Sequence, residues 1–401
     1  MKSCGADALD THEAGIPGVS WRPRLTTRIL FYTKCLLVVS IALGWEPADT
    51  AAAPPATTSA AAADSVPATA TDSVKESSAD SVAEGAVADA ETLGYAFSFP
   101  ALGTVVSFKA FHADRAVVQR GFERAAERVR ELEAILTDYD PNSETRRLSQ
   151  QAVGQPHQVS PDLWEVLAAS QRWHQRTDGA FDSSLGTLTR LWRKHRRAAR
   201  LPSEQEIQQA LQQSGWQHVR LDAAQCTVEL TSEDIQFDFG AIGKGYIADE
   251  AYELLRAADL SCCLVNISGN MRAGDAPPSR SGWRIEIAPL EKDGPPLRRV
   301  EIVQQAIATS GDLWQFSLID GQRRSHILDP RTGYGVLGPR CATAIAPTAT
   351  DADALATAAC IGGFEQGRRW ADSLPGGQLL VADKSTSETL RVQATEGFPE
   401  S

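Results

Sequence analysis

The chain has 401 residues, a formal net charge of -12 and 42% hydrophobic residues. That length supports a substantial core, and the acidic balance argues against a nucleic-acid partner. Seven cysteines occur without a C-x-x-C pair or zinc-ligand spacing, which excludes the common zinc modules.

Residues 1–28 are polar and carry Arg22, Arg24 and Arg28, ahead of an apolar stretch at 29–44. After Lys34 that stretch runs for about ten residues, short of the ~20 that span a bilayer. Residues 1–45 therefore read as a signal sequence, with an N-terminal membrane anchor as the alternative. Residues 46–93 are rich in Ala, Ser, Thr, Asp and Glu, which suits a disordered acidic linker. The folded domain is expected over 94–390, with 391–401 as a C-terminal tail.

Within the domain, the segment from Phe97 to Phe111 reads as two extended pieces around a turn at Pro100–Gly103. A helix over 114–136 follows from Val118, Phe122, Ala125, Val129, Leu132 and Leu136 at spacings of three and four. Leu163, Val166, Leu167, Ser170 and Trp173 repeat that pattern over 162–177. The basic run 193–197 reads as a solvated surface face. Ser203 and Glu206 form a capping box for a short helix ending near Gly215. Residues 221–230 read as a hairpin-like pair, and 235–239, 265–267, 283–287 and 299–308 as further strands. Helices and strands interleave without a βαβ period. The fold class is therefore α+β (mixed α/β), one compact domain with mixed sheets and flanking helices. Cys226, Cys262, Cys263, Cys341 and Cys360 fall inside it and read mostly as buried apolar side chains.

Five segments offer chemistry. In D-F-G-A-I-G-K-G-Y-I-A-D, residues 238–249, closely spaced glycines before a helix let backbone N–H groups approach phosphate, and Lys244 adds charge. An ordinary strand-turn-helix corner fits equally well. Asn266 and Asn270 follow an apolar strand and suit either a ligand or an Asx turn. A-T-S-G-D, residues 308–312, is another polar turn. In R-R-S-H-I-L-D-P-R-T-G, residues 323–333, His326 is a proton shuttle, a phosphate contact or a structural histidine. In D-A-D-A-L-A-T-A, residues 351–358, Asp353 and Thr357 are four apart, so a helix puts a carboxylate and a hydroxyl on one face. Both are oxygen ligands acceptable to Mg²⁺.

In this order, together with Y-D-P-N-S-E-T-R-R-L-S at 139–149 and G-A-F-D-S-S-L-G-T-L at 179–188, these motifs resemble the ApbE family of flavin transferases. The resemblance runs from about residue 97 to 385. It implies Mg²⁺-dependent transfer of FMN from FAD, as substrate, to a Thr or Ser hydroxyl of a target protein, with release of AMP. An FAD pyrophosphatase and a non-catalytic flavin-binding protein are the alternatives. By resemblance, Asp353, Thr357 and the carbonyl of Gly243 are metal ligands. Ser143, Glu144, Asp182, Asp238, Lys244 and Asn266 line the FAD groove. Thr309 and Asp312 lie near the pyrophosphate and flavin, and His326 and Asp329 are the candidate bases. The implied partner is an acceptor protein with an exposed Ser/Thr segment, a membrane or periplasmic redox subunit. The enzyme itself is expected to be exported, in the periplasm or on the outer face of the inner membrane. Ser268 and Asn270 depart from the family's N-x-G-G-D pattern, and Arg146 and Ser149 from its S-E-x-S-R-L-N pattern.

Overall fold

A computed structural model describes residues 93–197, 200–385 and 389–400. The signal or anchor segment and all but the last residue of the linker lie outside them. The chain enters through a hairpin, β1 (Leu93–Ala101) and β2 (Thr104–His112). Ala101 pairs with Thr104, so the turn is Leu102-Gly103, with φ of 55° and 67°. Two left-handed residues twist a two-residue turn to match its strands. Helix α1 (Arg115–Leu136) starts on the Asp114 side chain, which accepts the Ala116 N–H, and buries all six residues of the apolar stripe. A short α2 (Glu144–Leu148), β3 (Pro156–Gln158) and α3 (Pro161–Arg176) follow. Next come α4 (Gly186–Arg197) and α5 (Glu204–Gln212), the latter with both bonds of the Ser203–Glu206 capping box.

β4 (Val219–Asp222) and β5 (Thr227–Leu230) pair with β3 in a small sheet. Helix α6 (Gly243–Ala257) leads into β6 (Cys263–Ile267) and β7 (Asn270–Ala273). β8 (Trp283–Ile287) and β9 (Arg298–Ile302) form a separate ribbon. Then β10 (Ala306–Gly311) precedes a three-stranded sheet of β11 (Phe316–Ile319), β12 (Gln322–Leu328) and β13 (Gly335–Leu337). β14 (Arg340–Ala346), α7 (Ala349–Asp372), β15 (Gln378–Asp383) and β16 (Arg391–Ala394) complete the chain.

The principal sheet runs β1-β2-β6-β7-β10-β14-β15-β16, and its strand pairs are antiparallel. One face packs on α1, α6 and α7; the other carries the β8–β9 ribbon over Leu264, Ile307, Ile345 and Leu380. Strand alternation divides the two faces. Toward α7 the sheet offers Ala306, Ala308, Ala342, Ala344 and Ala346, and α7 answers with Ala352, Ala356 and Ala359. Small side chains on both sides let helix and sheet approach closely. That contact sets where the polar residues of α7 lie.

Three expectations need correction. Residues 235–239 are not a strand. They alternate in burial, but their backbone bonds are spent elsewhere: Gly186 N–H on the Gln236 carbonyl at 2.7 Å, and Asp238 N–H on the Ser183 carbonyl at 2.8 Å. The run 299–308 is broken at Gln304, φ 50°, into β9 and β10, which belong to different sheets. Over its described residues, 391–400, the expected tail is no loose end, because β16 pairs with β15 and Phe398 is buried under the β8–β9 ribbon. No helix among the described residues is long and apolar enough to cross a membrane. All five cysteines of the domain are free thiols; Cys263, Cys341 and Cys360 are buried, whereas Cys226 is exposed.

Candidate functional site

The site begins where α6 meets the first turns of α7. Thr348 caps α7 by accepting the Asp351 N–H, and Trp173 Nε1–H donates to Asp351 at 2.9 Å. From α6, Asp249 accepts the N–H groups of Ala349 at 2.8 Å and Thr350 at 2.9 Å. One turn into α7 is Asp353, 2% exposed, whose Oδ2 accepts the Gly245 N–H at 3.1 Å. A Cβ on Gly245 would lie 2.2 Å from the Ala349 carbonyl oxygen, so only glycine permits this approach. Lys244 Nζ sits 3.7 Å from the same Asp353 oxygen and donates to the Gly240 carbonyl at 2.6 Å.

One turn further on α7, Thr357 Oγ1 shares a hydrogen bond with Ser310 Oγ at 2.9 Å. Ser310 is on the helix-facing side of β10, with Ala306 and Ala308. Thr309 is turned by alternation to the opposite face, where it pairs with Thr343 at 2.8 Å. The residue of A-T-S-G-D that meets α7 is therefore Ser310, as the parity of β10 dictates. Asp312 is 1% exposed and closed by Arg323 Nε at 2.6 Å and the Arg340 N–H at 3.0 Å. Its carboxylate braces Arg323 and is not open to a ligand.

His326 lies on β12. Its Nδ1 is 3.0 Å from the Gln315 carbonyl, an acceptor only, so in this bond Nδ1 carries the proton. The neutral ring then leaves Nε2 as a free base. The His326 side chain is exposed to solvent. Loss of surrounding water lowers its pKa, the Gln315 carbonyl opposes this, and the charges of Lys244 and Arg196 lower it further. Asp329 is not its partner. Three residues on along the chain, Asp329 forms a two-pronged ion pair with Arg331, both contacts at 2.9 Å, and ties the D-P-R-T-G turn. That pair occupies the carboxylate Asp329 would need to act as a base.

Asp238 connects this region to the glycine loop. Its Oδ1 accepts the Gly240 N–H at 2.9 Å and its Oδ2 pairs with Arg193 at 3.0 Å. The basic run on α4 is thus not a solvated face throughout: Arg193 is held between Asp138 and Asp238, and its guanidinium lies 4.4 Å over the ring of Tyr139. Other expected groove residues are engaged in holding loops. Ser143 caps α2 and donates to the Thr137 carbonyl at 2.6 Å. Glu144 accepts the Ser160 N–H at 2.7 Å. Asp182 accepts from Ser184 N–H at 2.8 Å and Trp216 N–H at 3.2 Å. Asn266 Oδ1 accepts the Gly269 N–H at 2.9 Å, the Asx-turn alternative, closing a β6–β7 turn in which Ser268 takes φ 52°.

The structure therefore brings together Gly243, Lys244, Asp353 and Thr357, with Asp238 tied to the same loop through Gly240 and His326 within electrostatic reach of Lys244 and Asp238. Ser310, Asp249, Arg193 and Tyr139 join them unforeseen; Asp249 closes the glycine motif and Tyr139 opens the Y-D-P-N-S-E motif, so both were within reach. Among the described residues no group of three or more His, Cys, Asp or Glu could hold a metal. The donors on offer are one carboxylate, hydroxyls and backbone carbonyls. Burial raises the Asp353 carboxyl, opposed by Lys244 and the Gly245 N–H. So lightly compensated an anion, one turn from a hydroxyl, fits a hard, oxygen-seeking divalent cation.

Residues 102–381 match the ApbE family. The chain is 31% identical over 300 residues to an FAD:protein FMN transferase of Treponema pallidum, covering 71% of this chain and 81% of that protein. An FAD:protein FMN transferase of Escherichia coli K12 is 29% identical over 240 residues, 58% of this chain and 68% of its own length. Among solved structures, the apo Pseudomonas stutzeri flavinyl transferase ApbE superposes with a TM-score of 0.67 at 26% identity, covering 76% of this chain and 95% of that one. The Thermotoga maritima apbe protein gives 0.66 at 26% identity, covering 76% and 97%.

Proposed function

The chain belongs to the ApbE family, and from that premise we propose that it transfers FMN from FAD to a Ser or Thr hydroxyl of a target protein, releasing AMP. The observation that carries the reading is the buried, lightly compensated Asp353, one turn from Thr357 and beside Lys244. Asp353, Thr357 and the Gly243 carbonyl would hold Mg²⁺. When bound, that ion supplies charge neutralisation at the pyrophosphate.

The remaining work falls to side chains and backbone. Lys244, in the first turn of α6, attracts the phosphates with its charge, at a helix start that no side chain caps. His326, with Nδ1 fixed on Gln315, offers Nε2 to the incoming hydroxyl. The hydroxyl oxygen bonds to the phosphorus of the FMN half, and the bond from that phosphorus to the bridging oxygen breaks. AMP leaves with the bridging oxygen, and the hydroxyl proton passes to Nε2 and then to water. The product is a phosphoester-linked flavin. Tyr139, 76% exposed at the rim, offers a surface for a flat ring. The acceptor is a redox protein at a membrane or in the periplasm, and the enzyme is exported to meet it.

His326→Ala is expected to slow transfer by about 10²–10⁴, the range of a lost general base. In the unsubstituted enzyme kcat/KM is expected to rise with pH through an inflection below the ordinary imidazole range, because the lowered pKa keeps the ring neutral to lower pH. A substitution that leaves both rate and profile unchanged would return His326 to a structural role. The reading as a whole is tested by product analysis of the full chain with FAD, Mg²⁺ and an acceptor peptide. Flavin on the peptide together with AMP supports transfer. FMN and AMP regardless of peptide identify a pyrophosphatase, and intact FAD rejects both.

A further inference from the structure

Among the described side chains of α4, Arg193 is the most heavily committed cation. It bridges Asp138 and Asp238 and covers one face of Tyr139 at 4.4 Å. Its side chain is 25% exposed, whereas Tyr139 is 76% exposed. The arrangement is lopsided: one side of the phenol ring is backed by a guanidinium, and the rest is open. Through Asp238 the same Arg193 reaches the Gly240 N–H, hence the loop that delivers Lys244. Three segments distant in sequence, the 137–143 turn, α4 and the glycine loop, are thus held by one side chain. Lysine would supply the charge, but only a planar guanidinium can both fork between two carboxylates and stack on an aromatic ring.

We propose that Arg193 is a positioning residue of the dinucleotide site, fixing Tyr139 as a one-sided platform on which a flat heteroaromatic ring of the substrate stacks. This rests on the FAD reading given above. Isoalloxazine and adenine share the necessary chemistry, a flat heteroaromatic plane that prefers an offset stack on phenol. Arg193 contributes twice. It holds the ring against rotation, and it occupies the face that would otherwise stack uselessly on solvent.

The test is FAD binding to the full chain, followed by flavin fluorescence and visible absorption, for Arg193→Gln, Tyr139→Leu and the double variant. Each single change is expected to weaken binding about tenfold, the scale of one aromatic stack. Both are expected to abolish the shift of the flavin band if isoalloxazine is the stacked ring. The double variant is expected to bind no more weakly than the worse single one, because Arg193 acts through Tyr139. KM for FAD should rise with kcat within about threefold, a split that general loosening of the fold would not produce. Arg193→Lys keeps a cation between the two carboxylates, so it guards against misfolding while still losing the planar backing; it should bind FAD as weakly as the Gln variant. Titration with FMN and with AMP identifies the stacked ring by which of them Arg193→Gln weakens. Wild-type affinity in Arg193→Gln or Arg193→Lys, multiplicative losses in the double variant, or no effect on either FMN or AMP would overturn the proposal. Failure of the wild-type chain to bind FAD would instead remove the reading on which it rests.

Discussion

Asp353→Asn is expected to abolish turnover while making the metal-free protein more stable. The two effects share one cause. Asp353 is 2% exposed, and burial raises its carboxyl pKa against the opposition of Lys244 and the Gly245 N–H. A charge kept there is costly to the empty fold, and an isosteric amide removes it while its oxygen can still accept the Gly245 N–H. Relief of a poorly compensated buried anion is worth about 1–3 kcal/mol. The pH dependence has a definite sign. A carboxyl whose folded pKa is raised contributes stability fully present below its unfolded value, and loses it as pH rises through the folded value. Metal-free wild type should therefore lose stability above the ordinary carboxylate range relative to Asp353→Asn. Saturating Mg²⁺ should erase or reverse the gap. Turnover should fall by at least about a thousandfold, the several kcal/mol that a bound cation supplies at a phosphoryl centre. Thermal unfolding across pH with and without Mg²⁺, beside a rate assay, checks all of this. An Asn variant that turns over normally would remove Asp353 from the site.

The second large effect is a contrast between neighbouring glycines. Gly245→Ala puts a Cβ 2.2 Å from the Ala349 carbonyl oxygen and 2.8 Å from the Thr350 Cα, both backbone atoms. Neither can rotate away, so α6 and α7 must separate. The expected loss is on the order of 3 kcal/mol. With it go the Gly245–Asp353 hydrogen bond and the grip of Asp249 on the start of α7. Gly243→Ala meets the Phe239 Cβ at 3.4 Å and the Leu136 Cδ1 at 4.0 Å, both ordinary contacts. That variant should fold as well as wild type and retain activity, because a backbone carbonyl is indifferent to the added methyl. Denaturant titration of the pair measures the difference directly; equal stabilities would mean that the helix junction is soft.

Sequence reasoning recovered what is local. The stripe of α1, the Ser203–Glu206 box, and the helix bearing Asp353 and Thr357 are each set by residues a few positions apart. It failed where the deciding partner is remote or where parity is hidden. Arg193 looks like surface within a basic run, yet its carboxylates lie 55 and 45 residues away. Ser310 and Thr309 are equally eligible until the face of β10 is known. Residues 235–239 alternate like a strand, but their hydrogen bonds belong to the loop around Ser183 and Gly186. For Asp329 the partner is local: Arg331, two residues on, holds its carboxylate.

Between α7 and the sheet, methyl group meets methyl group along Ala352, Ala356 and Ala359 on one side and Ala306, Ala308 and Ala344 on the other. A side chain with no rotamers cannot drift, so the spacing there is a gauge block machined by covalent geometry. Asp353 and Thr357 inherit that tolerance without contributing to it. The positions least able to accept enlargement are consequently the chemically mute ones, and an added methylene at Ala356 would register as a displaced hydroxyl before it registered as a lost fold.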